Sequence, residues 1–245
     1  MTRRTIRSLI LAGVGAALGW SQAPELKTSE AVLEKYQWAL GGAEAIRKVQ
    51  SETRHGEVVS PGTPGKITFV SYAKPFKWLA KITMPDGAQR TSGFDGEISW
   101  SVSPKGTEID TSVPIESVRR DADLQYPLHE PDYFSTYELA GVTDFEGHRC
   151  YWLRGTTHWG KDNNQFYDVN TGLLVGYRFQ ADDKSAATTF LILDDYKSFG
   201  GPMVATKETV RQNGQSQITT ITSVSYEPIP TSMFDLPAAV KALQK

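Results

Sequence analysis

From about Ile67 to Tyr226 the chain alternates short two-faced hydrophobic segments with tight turns, at Pro85-Asp86-Gly87, Asp95-Gly96, Glu146-Gly147, Asn170-Thr171-Gly172 and Asn213-Gly214. Asp-Gly and Asn-Gly readily supply the positive φ angles of hairpin turns, and Asn-Thr-Gly suits a three-residue loop with glycine in the left-handed position. Repeated hairpins predict one large antiparallel sheet. Several strands carry apolar residues on both faces. Ile67 and Phe69 oppose Val70 and Tyr72, Cys150 and Trp152 oppose Tyr151 and Leu153, and Phe190 and Ile192 oppose Leu191 and Leu193. An antiparallel sheet with one wet face alternates more cleanly, so both faces here need cover. Two arrangements meet that need: a sandwich or barrel with a filled interior, or a sheet with one face lining a cavity. The Thr/Ser-rich run Ile218 to Tyr226 reads as a half-exposed or edge strand.

Helical spacing precedes the sheet. Ser29 reads as an N-cap, and Glu30 to Leu40 places Val32, Leu33, Tyr36, Ala39 and Leu40 on one face before Gly41-Gly42 stops the helix. Ala43 to Val49 forms a second short helix, with Ile46 and Val49 inward, and the pair is the natural cover for the sheet. Trp38 lies off the apolar stripe, at the sheet edge or exposed. Strands are predicted over Glu52–Ser60, Gly65–Ala73, Trp78–Met84, Ala88–Phe94 and Ile98–Val102. A helix over Pro114–Leu124 follows, with Ile115, Val118 and Ala122 inward, ended by Pro127 and Pro131. Phe134 to Leu139 reads as irregular or helical. Strands then resume over Leu139–Thr143, Arg149–Thr156, Gln165–Val169, Leu173–Gln180, Thr188–Lys197, Val204–Arg211 and Gln217–Tyr226. Pro228, Pro230 and Pro237 exclude strand from the tail, where Met233-Phe234 is the expected packing anchor. No linker divides the chain, so residues 24–245 form one domain.

Residues 1–23 read as a secretory signal. Arg3, Arg4 and Arg7 precede a short apolar core over Leu9–Trp20, and Ser21-Gln22-Ala23 offers small residues for cleavage. The apolar run is shorter than the ~20 residues that span a bilayer. The paired arginines fit either general or twin-arginine export. Removing 23 of 245 residues leaves 222, enough for one sizeable domain. The signal takes three of the 26 basic residues and none of the 28 acidic ones, so the mature net charge is −5. That balance argues against nucleic acid or an anionic membrane surface as main partner. The single cysteine, Cys150, lies within a strand and allows no intramolecular disulfide. No cysteine follows the signal to carry a lipid, so a soluble periplasmic protein is expected.

No catalytic signature emerges. His55, His129, His148 and His158 lack metal-ligand spacing, and neither a metal nor a cofactor is expected. His148 and Cys150 share a strand face, but Cys150 among aromatic and aliphatic neighbours reads as a small buried hydrophobe. Asp182-Asp183 reads as a polar turn. Asp194-Asp195 ends an apolar strand, and adjacent strand residues point to opposite faces, so this pair forms no acid/base couple. Arg119-Arg120, beside Asp121 and Asp123, reads as a solvated face. Nucleophile elbows, phosphate loops and dinucleotide fingerprints are absent. The remaining signal is aromatic: Phe69, Trp78, Phe94, Trp100, Trp152, Phe166, Phe179 and Phe190, spread over most strands, are the candidate cavity lining.

A set of segments in fixed order resembles a known family. It comprises Val32-Leu33-Glu34-Lys35-Tyr36 running to Ala39-Leu40-Gly41-Gly42, then Gly93-Phe94-Asp95-Gly96 followed by Trp100. Tyr167-Asp168-Val169-Asn170-Thr171-Gly172-Leu173-Leu174-Val175 comes next, then Asp195-Tyr196 with Gly200-Gly201-Pro202, and finally Phe234-Asp235. Together they span nearly the whole mature chain and resemble the periplasmic outer-membrane lipoprotein-sorting (LolA/LolB-like) superfamily. The resemblance implies a mainly β fold: a strongly curved antiparallel sheet, or incomplete β-barrel, covered on its concave side by a few helices. It also implies a soluble, monomeric, non-enzymatic periplasmic carrier or sensor that binds lipid acyl chains or a lipidated protein, with Pro114–Leu124 as its candidate lid. The alternative is a protein-interaction or signalling module of the same fold, meeting an envelope membrane protein without lipid cargo. No cargo-binding residue of the well-studied carriers matches a position here.

Overall fold

The computed structural model describes residues 25–179 and 188–244; the signal segment and Asp182-Asp183 lie outside the described residues. Thirteen strands form one antiparallel sheet. In chain order they are β1 (Glu52–Val59), β2 (Ile67–Lys74), β3 (Lys77–Thr83), β4 (Gln89–Phe94), β5 (Ser99–Ser103), β6 (Gly106–Ile109), β7 (Phe134–Phe145), β8 (His148–Thr157), β9 (Asp162–Asp168), β10 (Leu174–Phe179), β11 (Thr189–Ser198), β12 (Met203–Gln212) and β13 (Gln215–Ser225). Their spatial order is β6-β5-β4-β3-β2-β1-β13-β12-β11-β10-β9-β8-β7. The sheet does not close, and it has the curved, helix-covered form that the hairpin pattern and the family resemblance together imply. Every pairing joins sequence neighbours except β1 with β13, which brings the first and last strands together at its centre.

The turns behave as their sequences require. Phe145 pairs with His148 around Glu146-Gly147, and Gln212 pairs with Gln215 around Asn213-Gly214. Both residues of each turn have positive φ, as a two-residue hairpin demands. At Asn170-Thr171-Gly172, Gly172 takes φ +78° while Asp168 Oδ1 accepts from the backbone N–H of Asn170 and Thr171, at 2.9 and 2.7 Å.

The helices α1 (Ser29–Ala39), α2 (Ala43–Arg47), α3 (Ile115–Asp121) and α4 (Tyr126–His129) cover one face, here the inner face. The N-cap of α1 is Thr28 rather than Ser29: the Thr28 hydroxyl accepts from Ala31 N at 3.2 Å, and Ser29 is buried in the first turn. Val32, Leu33, Tyr36 and Leu40 pack with Tyr151, Leu153, Tyr167 and Leu174, seating α1 over β8 to β10. Trp38 points outward and is 77% exposed. Across the sheet, Val118 and Ala122 of the α3 segment pack on Phe94 and Trp78, and Phe76 N donates to Ala122 O at 2.9 Å.

Three expectations need correction. Phe134–Leu139 is neither irregular nor helical but opens the 12-residue β7; its Ser-Thr-Tyr run suits a strand, and Pro131 belongs to the preceding turn. Pro127 and Pro131 do not merely stop a helix. Each occupies the first turn of a new one, α4 and the 3-10 turn Glu130–Tyr133, where a missing N–H is harmless. The short edge strand β6 was not foreseen, because Gly106-Thr107-Glu108-Ile109 carries too few apolar residues to signal one.

The outer face has its own cover at one end. The 3-10 turn Thr231–Phe234 and α5 (Ala238–Ala242) deliver Phe234 and Val240 onto Leu79 and Trp100. Farther along, Phe145 and Phe166 stack at 4.0 Å. Arg178 lies over Trp152 and Phe166, and Arg211 over Phe190, so long arginine stems shield aromatic rings there.

A buried polar network pins the helical cover to the sheet. Glu130 is fully buried, and its carboxyl accepts from the hydroxyls of Tyr126 (2.9 Å) and Tyr167 (3.0 Å) and from Gln165 Nε2. Gln165 Oε1 accepts in turn from Tyr137 on β7. Beside it, Asp123 Oδ2 meets His129 Nδ1 and the Tyr133 hydroxyl, both at 2.8 Å. Burial raises the Glu130 carboxyl above its ordinary 4.5, against the opposing pull of the three donors. Folding therefore shifts this group toward its neutral form relative to the unfolded chain, which ionises first as pH rises. The folded state then binds more protons, so stability falls as pH climbs from about 4.5 through the raised folded value. Glu130→Gln is expected to flatten this part of the pH–stability curve in urea unfolding, whereas Glu130→Leu, which orphans Tyr167 and Gln165, should cost about 2–4 kcal/mol at neutral pH. On the outer face, Phe234→Ala should cost about 3–4 kcal/mol by the same measurement.

Candidate inner-face cavity

The two helical patches sit apart. Between them lie β2, β1, β13, β12 and β11, whose inner face has no helix directly across it. A cavity of about 450 Å³ lies there, bordered by Tyr36, Leu40, Ile46 and Val49 of the helical cover and by Ala73, Trp78, Leu193, Val204 and Tyr226 of the sheet region. A second, of about 500 Å³, adjoins it and is bordered by Arg120, Asn163, Tyr177, Phe179 and Leu191. Asp121, Asp123, Tyr126 and Glu208 border both, so the two hollows share a wall. Their volumes fall in the range of small-molecule sites. Two other hollows, along β7 near Arg149 and on the outer face around Trp152 and Arg154, are grooves over strands without helical cover.

Strand register explains the lining. Glu52 and Arg54 on β1 face inward with Ala73 and Ser71, their partners on β2. On β12, Glu208 faces inward beside Leu193 of β11. Arg54 Nε and Nη2 donate to the two oxygens of Glu52 at 2.6 and 3.2 Å. Arg120 donates through Nε and Nη2 to Asp121 Oδ1 at 2.9 and 2.8 Å and lies 5.4 Å from the Trp159 ring. Arg120 is thus no solvated charge: its side chain is 18% exposed, because α3 lays it between Trp159 and the cavity. Burial raises the Glu208 carboxyl, with the Arg54 charge opposing.

The eight aromatic residues singled out in the sequence divide evenly between faces. Phe69, Trp78, Phe94 and Phe179 stand on the inner face; Trp100, Trp152, Phe166 and Phe190 stand on the outer. Of the inner four, Trp78 and Phe179 border the cavities. Phe94 is buried beneath α3, and Phe69 packs with Val204, Ile221 and Val224. Sequence reasoning missed the polar lining: Glu52, Arg54, Asp121, Asp123, Asn163 and Glu208. The available signal was a charge recurring at period two within an apolar face, as Glu208 does after Val204 and Thr206.

Cys150 has no nucleophile geometry. Its thiol donates to the backbone carbonyl of His148 rather than meeting the ring, and burial pushes it up to about 12. The His148 ring instead meets Asp168 Oδ2 at 3.1 Å. Among the described residues no group of three or more His, Cys, Asp or Glu is placed to hold a metal, and no helix is long and apolar enough to cross a membrane.

No family model and no curated protein sequence matches the chain. Solved structures do. A LolA superfamily protein from Nitrosomonas europaea superposes with a TM-score of 0.61 at 12% identity, over 86% of this chain and 99% of that one. A DUF1329 family protein from Desulfovibrio piger gives 0.59 at 17% identity, over 85% and 98%. A domain from Vibrio parahaemolyticus named for outer membrane lipoprotein sorting gives 0.58 at 11% identity, over 87% and 100%. At such identities the likeness is one of fold, and it spans nearly all of each neighbour: the chain shares the curved, helix-covered antiparallel sheet of these structures.

Proposed function

We propose that this protein is an exported, periplasmic carrier that holds the acyl part of a lipid or lipidated protein in its inner-face cavity. The observation that carries the reading is the gap between the two helical patches, where an open hollow of about 450 Å³ is bordered by Leu40, Ile46, Val49, Trp78, Leu193 and Val204 on a sheet of this fold. An acyl chain entering such a space gains roughly 0.8 kcal/mol per buried CH₂, so a partly inserted chain binds reversibly. The α3 segment is the natural lid. It is seven residues long, it rests on Phe94 and Trp78 through Val118 and Ala122, and Asp121 at its end borders the cavity. Two of the aromatic residues expected to touch ligand, Trp78 and Phe179, keep that role in this reading; Phe69 and Phe94 support the wall behind them.

The reading is tested with a fluorescent fatty-acid analogue and with native mass spectrometry of mature protein purified from the periplasm. The expected result is saturable probe binding and co-purifying lipid. Ala73→Trp, which pushes a large ring into the cavity from β2, should weaken probe binding at least tenfold while the far-ultraviolet circular dichroism stays that of the parent. Protein that is lipid-free and does not bind the probe would overturn the carrier.

A further inference from the structure

Among the described residues, the cavity bordered by Tyr177 and Asn163 has one cation on its wall, Arg120, which is engaged, while several of its polar groups are not. Arg120 donates through Nε and Nη2 to Asp121 and stacks on Trp159, and Arg54 of the adjoining hollow is paired with Glu52. Opposite them stand three polar groups with unmet capacity. Asn163 is only 4% exposed, and its Oδ1 is buried with no hydrogen-bond partner. The Tyr177 hydroxyl on β10 and the Glu208 carboxyl on β12 likewise make no hydrogen bond among the described residues. A buried acceptor left unpaired costs about 1–3 kcal/mol, more when charged, and native folds rarely carry such groups without a reason. That buried acceptor borders the same cavity as the half-buried Tyr177 and Glu208, so β9, β10 and β12 together make a built site rather than a stray defect.

We infer that this second cavity receives the polar head of the ligand and selects a head rich in hydrogen-bond donors, an amine or a polyhydroxyl group, over an anionic one. Asn163 Oδ1 and Glu208 accept from the head, and the Tyr177 hydroxyl can accept or donate. An anionic head would bring acceptors to acceptors, beside guanidinium groups that already each face a carboxylate. The inference rests on the carrier reading, since it places the chain in the adjoining hollow, around Trp78, Leu193 and Val204, and the head across the shared wall at Glu208 and Tyr126.

Three ligands with the same sixteen-carbon chain separate the possibilities: hexadecylamine, monopalmitoylglycerol and palmitate, titrated calorimetrically below their aggregation concentrations into delipidated mature protein near neutral pH. The amine and the glyceride are expected to bind at least tenfold more tightly than palmitate. Glu208→Gln should shrink the amine-to-palmitate ratio by about tenfold, and Asn163→Leu should shrink the glyceride-to-palmitate ratio similarly. Because it removes an unpaired buried amide, Asn163→Leu should also melt no lower than the parent, which separates lost recognition from lost folding. If palmitate binds as tightly as the other two in the parent protein, head selection is wrong while the carrier stands. If none of the three binds, the carrier reading falls and this inference with it.

Discussion

Everything distinctive about this molecule follows from a mismatch between the sheet and its cover. Thirteen strands at about 4.8 Å spacing make a sheet roughly 60 Å wide along its curve. The longest inner-face helix has 11 residues, about 16 Å of length, and the others have five, seven and four. Such helices shield two patches and no more. One lies over β8 to β10, beneath α1 and α4, and the other lies over β3 and β4, beneath α3. Curvature brings the patches toward each other but does not merge them, and the strands between, with no helix across them, become the floor of the cavity. The hollow is thus a consequence of element lengths.

What holds such thin cover in place is polar as well as apolar. The apolar stripe of α1 is anchored by Val32, Leu33, Tyr36 and Leu40, but α4 buries no residue of its own. It is held instead by Glu130 at its end, which gathers hydroxyl and amide donors from Tyr126, Tyr167 and Gln165. Hydrophobic contact is indifferent to small slides, whereas a carboxyl with three donors has one good position. A buried acid is an expensive way to gain stability and an effective way to fix a short helix on a sheet. The same logic applies to Asp123 with His129 and Tyr133, so the segment between the two patches is located by hydrogen bonds at both ends.

Much of the fold was legible because hairpin turns and period-two alternation are local. Glu146-Gly147, Asn170-Thr171-Gly172 and Asn213-Gly214 mark their turns unaided, and the doubled apolar pattern of β8 and β11 correctly announces a sheet needing cover on both sides. Information that depends on the far side of the sheet was not legible. Alternation separates Trp152 from Leu153 but cannot say which of them meets helices, so the aromatic lining expected from sequence splits between faces. Glu130, in Glu-Pro-Asp-Tyr, looks like surface until β7 and β9 supply its partners from up to 37 residues away. Glu208 and Asn163 look like ordinary strand polars until the register turns them inward.

That inward polarity bears on the proposed carrier role. A cavity lined wholly by aliphatic side chains would hold an acyl chain by about 0.8 kcal/mol for every methylene, and a long chain would leave slowly. Here the apolar stretch around Leu193 and Val204 gives way within a few residues to Glu52, Arg54, Asp121, Asp123 and Glu208, most of them already hydrogen-bonded within the chain. Paired charges attract little and must stay solvated or hydrogen-bonded, so they limit how far the apolar contact extends. Unpaired acceptors do the reverse and reward only a ligand that satisfies them. In the proposed carrier, grip on the chain would thereby be capped and discrimination concentrated at the head, a division suited to recognising a cargo and then letting it go.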